Sequence, residues 1–288
     1  MQFLKKLFLP ITATLGFIQK YFKSMIFLLI LFWVFSATSS DTLNHPNLMK
    51  IHLAGPIFDS ESFLEDIEDA EDPHIKGVLL VVDSPGGSVP PSIEMALAIK
   101  RLKEKKPVIA YASGIMASGS YYASIYADKI IANPGAMIGS IGVIMQGMDV
   151  SEIMQKVGFK EQTVSVGKYK QMGTATREWN EDEKAELNRL IHDTYDMFVS
   201  DVANARGLDI NKSSEYADAH VFSAARAKSV GLVDEVGSIY EATQALQEAT
   251  GVKKPIWNSK NKMDKILDQI AQKSSVAIFS YFSGLKAY

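Results

Sequence analysis

The chain has 288 residues, 47% of them hydrophobic and 22% charged, with a formal net charge of -3. That balance excludes a largely disordered chain, and it gives no support to nucleic-acid binding, which calls for a basic face or stripe. Cysteine is absent, which excludes a thiol nucleophile, disulfide staples and thiolate metal sites.

Residues 1–40 carry Lys5, Lys6, Lys20 and Lys23 but no acid, and they include the apolar run Met25–Ala37. That run is shorter than the roughly 20 residues a spanning helix needs. Tyr21, Phe22, Ser24 and Thr38–Ser40 bring the segment near the minimum. Three readings fit: a single N-terminal membrane helix, an export signal cleaved after Phe35-Ser36-Ala37, or a buried or interfacial helix. The long lysine-bearing lead favours the anchor. Lysines ahead of the span keep the N-terminus inside and send the remainder across. Leu7–Ile18, also mostly apolar, reads as a segment lying along the membrane surface.

Residues 41–48 read as a polar linker, and Met49–Ile57 as a first strand broken by Gly55-Pro56. Phe58–Asp72, with Phe63, Ile67 and Ala70 on one side, predicts an amphipathic helix. Ile75–Val82 contains the near-continuous apolar run Gly77–Val82, the pattern of a central strand covered on both faces. The turn Asp83–Ser88 leads to a helix over Pro91–Glu104. Next come a strand over Val108–Ala112, a small-residue turn over Ser113–Gly119, a helix over Ser118–Tyr126 and a short strand over Lys129–Ala132. Beyond Met145 the pattern predicts a helix over Val150–Val157, a strand over Gln162–Val166 and a long helix over Glu181–Ala205. A shorter helix starts near Ser223, and another covers Ile239–Ala249. Strand–helix alternation of this kind indicates an α/β core of stacked βαβ units. The domains are read as 1–40 anchor or signal, 41–48 linker, 49–252 globular domain and 253–288 tail.

Two segments carry candidate chemistry. In Ser84-Pro85-Gly86-Gly87, the glycines let the backbone approach a ligand and present N–H groups to a developing oxyanion. An ordinary tight turn accounts for the same residues. In Ala117-Ser118-Gly119-Ser120, Ser118 fits either a helix N-cap or a nucleophile exposed by small neighbours. No G-x-S-x-G elbow is present. None of His45, His52, His74, His192 and His220 sits in a small-residue loop beside an orienting acid. A lysine can replace histidine as base when its surroundings lower its pKa. Lys168 and Lys170, in Gly167–Gly173, are the candidates; their spacing puts both on one side of an extended chain and does not choose between them.

These segments resemble the signal peptide peptidase A family, Ser–Lys peptidases related in fold to Clp protease and crotonase. The resemblance covers roughly residues 48–250. Its pieces are Asp83–Val89, Ala117–Tyr122, Gly139–Val143, Gly167–Lys170 and Gly231–Asp234. It implies a Clp protease/crotonase-like core, preceded by the N-terminal membrane helix read above from charge and apolar pattern, with Ser118 as nucleophile and Lys170 as base. Gly87 and Gly119 would supply oxyanion amides, and the Ser140 hydroxyl would help hold the lysine. No cofactor or metal is expected. A working Lys170 would be buried and away from carboxylates.

The implied activity is serine endopeptidase cleavage of signal peptide remnants and other short hydrophobic peptides through an acyl-enzyme. The N-terminal charge and apolar pattern set the expected location as the inner (cytoplasmic) membrane, single-pass, with the catalytic domain on the outer (periplasmic or extracytoplasmic) side. Related enzymes form dome-like rings that complete the sites, so homo-oligomerisation is expected, and the tail 259–288 is a candidate occupant of the groove. Ile115, Met116, Tyr121 and Ile138 fit either groove lining or core packing. The chain departs from the family pattern at Ser120 and Ala224, where glycine is usual. Ser120 would narrow the pocket or add a hydrogen bond. The rival readings are a crotonase-type acyl-transfer enzyme and a non-enzymatic membrane scaffold.

Overall fold

The computed structural model describes residues 19–31 and 45–258. The chain divides into two units, residues 1–46 and 47–288. In the first, residues 19–31 form helix α1. Among the described residues no helix is long and apolar enough to cross a membrane. The N-terminal membrane helix read from the sequence is therefore not part of the described fold. The rest of its apolar run, Leu7–Ile18, linker residues 41–44 and the tail 259–288 lie outside the described residues.

The second unit is built on a sheet of seven strands: β1 (Met49–Ala54), β2 (Val78–Ser84), β3 (Val108–Ala117), β4 (Lys129–Ala132), β5 (Met137–Gly139), β6 (Val221–Ser223) and β7 (Glu235–Val236). The order is β1-β2-β3-β4-β7, with β5 joined to the end of β3 and β6 joined to β5. Every pairing is parallel except β5 with β6. The helices are α2 (Glu61–Ala70), α3 (Val89–Lys103), α4 (Gly119–Ser124), α5 (Ser151–Lys156), α6 (Glu181–Arg206), α7 (Ser213–Tyr216), α8 (Ala224–Ser229) and α9 (Ile239–Thr250). This is the mixed α/β architecture that the alternation predicts.

Strand periodicity divides the core. Val78, Leu80 and Val82 of β2 pack in one cluster with Phe63 and Ile67 of α2, Ile99 and Leu102 of α3 and Tyr121 of α4. Leu79 and Val81 point to the other face, into a cluster with Ile109, Tyr111 and the α9 residues Ala242 and Leu246. Burial on both faces is why β2 reads as a continuous apolar run rather than an alternating one. Each such side chain contributes on the order of 1.5–3 kcal/mol by leaving water.

Two expectations need correction. The turn predicted over Ser113–Gly119 is mostly strand, since β3 runs on to Ala117. The pairing steps from Val82↔Ala112 to Ser84↔Met116, so β3 bulges by two residues before it resumes. The Asp83 carboxylate sits in that bulge and accepts the Ile115 N–H at 2.8 Å. A Cβ on Gly114 would lie 2.3 Å from Asp83 Oδ1, so only glycine leaves room for this bond. Small residues there signal a bulge as well as a turn. The strand predicted over Gln162–Val166 is absent: Val164 and Val166 are fully exposed, and nothing among the described residues pairs with them to hold an extended segment.

The two ends of the described domain are tied to each other. Asn47 N–H donates to Ile256 O at 2.8 Å, Ile256 N–H donates to Asn47 Oδ1 at 2.8 Å, and Leu48 bridges Trp257 in parallel.

Candidate active site

The carboxyl ends of the central strands bring the two candidate segments into contact. Beyond β2, Gly86 adopts φ +89°; a Cβ there would sit 2.5 Å from Gly119 N and 2.8 Å from Ala117 O. Gly87 is held against the segment after β1, where Ile57 N–H donates to Gly86 O and Ser88 N–H donates to Ile57 O. A Cβ on Gly87 would lie 2.0 Å from Ile57 O. Beyond β3, a Cβ on Gly119 would approach Gly87 N to 3.3 Å and Ser92 Oγ to 2.2 Å. Close backbone approach, with no side chain able to intervene, is thus the requirement on all three glycines. Neither the Gly87 nor the Gly119 amide is spent in the hydrogen bonds of the described residues. Both are adjacent donors for an anionic oxygen.

Ser118 stands between β3 and α4 with φ 51° and ψ -124°. Serine rarely takes positive φ, and such strain persists only where the surroundings over-determine it. Here Ser118 N–H donates to Gly139 O at 2.8 Å, and Ser118 O accepts the Tyr122 N–H at 3.0 Å. Ser118 makes no side-chain cap to α4, so the N-cap reading of its hydroxyl is not met. The chain has the strained strand–turn–helix of a nucleophile elbow without the G-x-S-x-G motif. Only the small neighbours hinted at it in the sequence.

A cavity opens at this point. Gly87, Ser92, Ser118 and Gly119 form its polar end, and Val89, Ile93, Tyr122, Val143, Met197 and Phe198 line its walls together with Gly142 and Thr194. Tyr122 packs edge-on against Phe198 and donates its hydroxyl to Asp201, which fixes α6 over the cavity. Burial, reinforced by the Asp201 carboxylate, pushes the Tyr122 phenol up, so it stays a protonated donor. These α6 residues are functional candidates that helical periodicity alone classes as core.

Ile115, Met116, Tyr121 and Ile138 are not among the cavity-lining residues. Met116, Tyr121 and Ile138 are fully buried in the core, so the packing reading holds for them. Ser120 does not enter the cavity either. It is fully buried behind the nucleophile turn, where its hydroxyl makes hydrogen bonds instead of narrowing the pocket.

Ser140 lies beside Ser118. Gly139, its neighbour, pairs with Ala117 and accepts the Ser118 amide. Ser140 also has positive φ, 49°, and donates its amide to His220 O at 2.7 Å.

The two lysines differ. Lys168 Nζ lies 2.8 Å from Asp182 at the start of α6, and this hydrogen bond holds its pKa above the ordinary lysine value. Lys170 sits in an exposed turn, and no ion pair among the described residues involves it. The burial expected of Lys170 is not met within one chain. It is not among the residues lining the cavity. Asp182 and the cavity residue Thr194 are about 18 Å apart along α6, at 1.5 Å per residue.

The chain is similar to known proteins. The family described as peptidase family S49 matches residues 100–253. A protein of Methanocaldococcus jannaschii described as a protease is 42% identical over 194 residues, covering 67% of this chain and 62% of that protein. A protein of Synechocystis described as a protease is 35% identical over 205 residues, 70% of this chain and 74% of that protein. One of Enterococcus faecium, described as signal peptide peptidase SppA, is 34% identical over 193 residues, 66% of this chain and 56% of that protein. The match thus spans less than two thirds of the length of the first and third of these relatives.

Proposed function

This chain belongs to peptidase family S49, of the signal peptide peptidase A type, and from that premise we propose that it is a serine endopeptidase acting through Ser118 and Lys170. The observation that carries the reading is the placement of Ser118. A strained serine sits at the end of an apolar cavity, beside two adjacent amides, Gly87 and Gly119, that are free to donate. In this reading neutral Lys170 takes the Ser118 proton as the oxygen attacks the scissile carbonyl, and the two amides hold the tetrahedral oxyanion. The lysinium then protonates the leaving amine, and neutral lysine activates the water that releases the acyl group. Lys168 is the poorer base because Asp182 favours its charged form. The apolar walls suit hydrophobic segments such as signal peptide remnants. A parallel-dominated sheet fits a Clp protease- or crotonase-like core.

Two further elements belong to this reading. A second copy of the chain completes the site by delivering Lys170 to Ser118, with Ser140 holding it. Support comes from the exposed position of Lys170, and from a run of exposed apolar residues nearby that includes Ile144, Met148, Phe159, Val164 and Val166. The lysine-bearing, acid-free N-terminus anchors the chain in the inner membrane with the peptidase domain outside.

The test is cleavage of a fluorogenic apolar peptide by wild type, S118A, K170A and K168A across pH. We expect S118A and K170A to lose activity by several orders of magnitude and K168A to keep most of it. Equal rates for wild type and S118A would refute the mechanism, and an active K170A with a silent K168A would move the base. Chelator should leave the rate unchanged.

A further inference from the structure

Three serines form a buried row behind the cavity: Ser84 at the end of β2, Ser120 in the first turn of α4 and Ser124 one turn later, all fully inaccessible. Ser124 Oγ donates to Ser120 O at 2.8 Å, and Ser84 Oγ accepts the Gly86 N–H at 3.2 Å. The Ser120 hydroxyl does something different. It accepts the Ala117 N–H at 2.9 Å, and it has Ser84 O at 2.6 Å and Ala117 O at 2.9 Å as acceptors for its own proton. A hydroxyl has one proton to give, and the shorter contact directs it to Ser84 O.

Ala117 immediately precedes the nucleophile, and Ser84 begins the turn that presents Gly87. The Ser120 hydroxyl therefore stands between the two backbone segments that carry the reacting groups, accepting from one and donating to the other. It does so where the β2–β3 pairing has just resumed, at Ser84↔Met116, after its register shift. Pro85 follows at once and has no N–H to extend the ladder. The β2–β3 ladder adds no bond between the two turns beyond this point, and the Ser120 hydroxyl links them directly.

We propose that Ser120 is a positioning residue, which sets the distance between the Ser118 turn and the Gly87 amide and so aligns the two halves of the oxyanion site. The inference rests on the peptidase reading above. It predicts that loss of the hydroxyl acts on the transition state rather than on substrate binding, because the cavity walls do not include Ser120.

The experiment compares S120A, S120G and S124A in the full chain, using steady-state cleavage of the apolar peptide and inhibition by a peptide boronate as a tetrahedral mimic. S120A and S120G should each lower kcat by roughly 10- to 100-fold, a fraction of the effect of deleting an oxyanion donor. KM should be nearly unchanged, and boronate affinity should fall in parallel with kcat. S124A removes a hydroxyl from the same buried row but not the bridge, and should keep wild-type kcat even if it melts lower. Wild-type kcat in folded S120A or S120G would overturn the proposal. So would a loss in S120A that S120G restores, since that would point to packing, as would an equal kcat loss in S124A. A fall in thermal stability alone, with kcat and boronate affinity intact, would reduce Ser120 to a structural residue. Failure of the peptidase reading is seen separately, as S118A retaining wild-type rates.

Discussion

At Ser118 the backbone is held in a conformation that costs on the order of 1–3 kcal/mol for a non-glycine residue. The Gly139 carbonyl and the first turn of α4 hold it there. Gly87 is constrained from the other side, because any Cβ would meet the Ile57 carbonyl at 2.0 Å. G87A must therefore push the turn away from β1 and carry its amide off target. We expect kcat to fall by about 10²–10³ while circular dichroism stays native-like; an active G87A would place the oxyanion elsewhere. Small residues around Ser118 made it legible as a candidate in the sequence. Its strain was not legible, because positive φ at a serine is imposed by contacts from residue 139, far along the chain. The choice between Lys168 and Lys170 was also closed to periodicity, and it was the resemblance that favoured Lys170. Asp182, which separates them electrostatically, lies 14 residues beyond Lys168 and meets it only in the fold.

Helix α6 shows how one element serves both fold and site. Its N-terminus is secured by a reciprocal cap between Asn180 and Glu183. Arg177 grips the same carboxylate with two bonds of 2.7 and 2.8 Å, fastening the segment after the lysine turn. The Arg177 hydrogen bonds, with the Asn180 amide, bring Glu183 down from 4.5 to about 2. Its folded pKa is depressed, so this stabilisation is complete above pH 4.5 and is lost as pH falls toward 2. Hydrogen exchange should show the first turn of α6 opening through that window in wild type. E183Q should open at neutral pH and flatten the dependence; an unchanged acid profile would refute the role of this pair. Elements with long continuous or strongly periodic apolar patterns, such as β2 and α6, were readable from sequence. The three-residue strands β5 and β6 were not, because they are too short for any period to show. They are nevertheless the strands that supply the Gly139 carbonyl and its support.

For the whole molecule, the α/β sheet followed from alternation, whereas the placement of Lys170 did not: it stands exposed and does not line the cavity. If a second copy supplies the lysine, inactive S118A and K170A proteins should rescue each other when co-assembled. Random mixing through a head-to-tail interface would reconstitute about a quarter of the sites. No recovery in mixed assemblies would mean that serine and lysine come from the same chain. The pairing of Asn47 with Ile256 has a different consequence, one of timing. These residues are 209 apart in sequence, so their contact closes a loop containing nearly the whole domain. A chain made from its N-terminus outward produces β1 among its first strands, and Asn47 O can accept the Lys76 N–H early, yet the other side of the segment leading into β1 gains its partner only after residue 256 exists. The start of the domain is therefore among the earliest parts synthesised and among the last to be paired on both sides. A release of the chain before that point would leave a bare strand entrance, open to pairing with another chain.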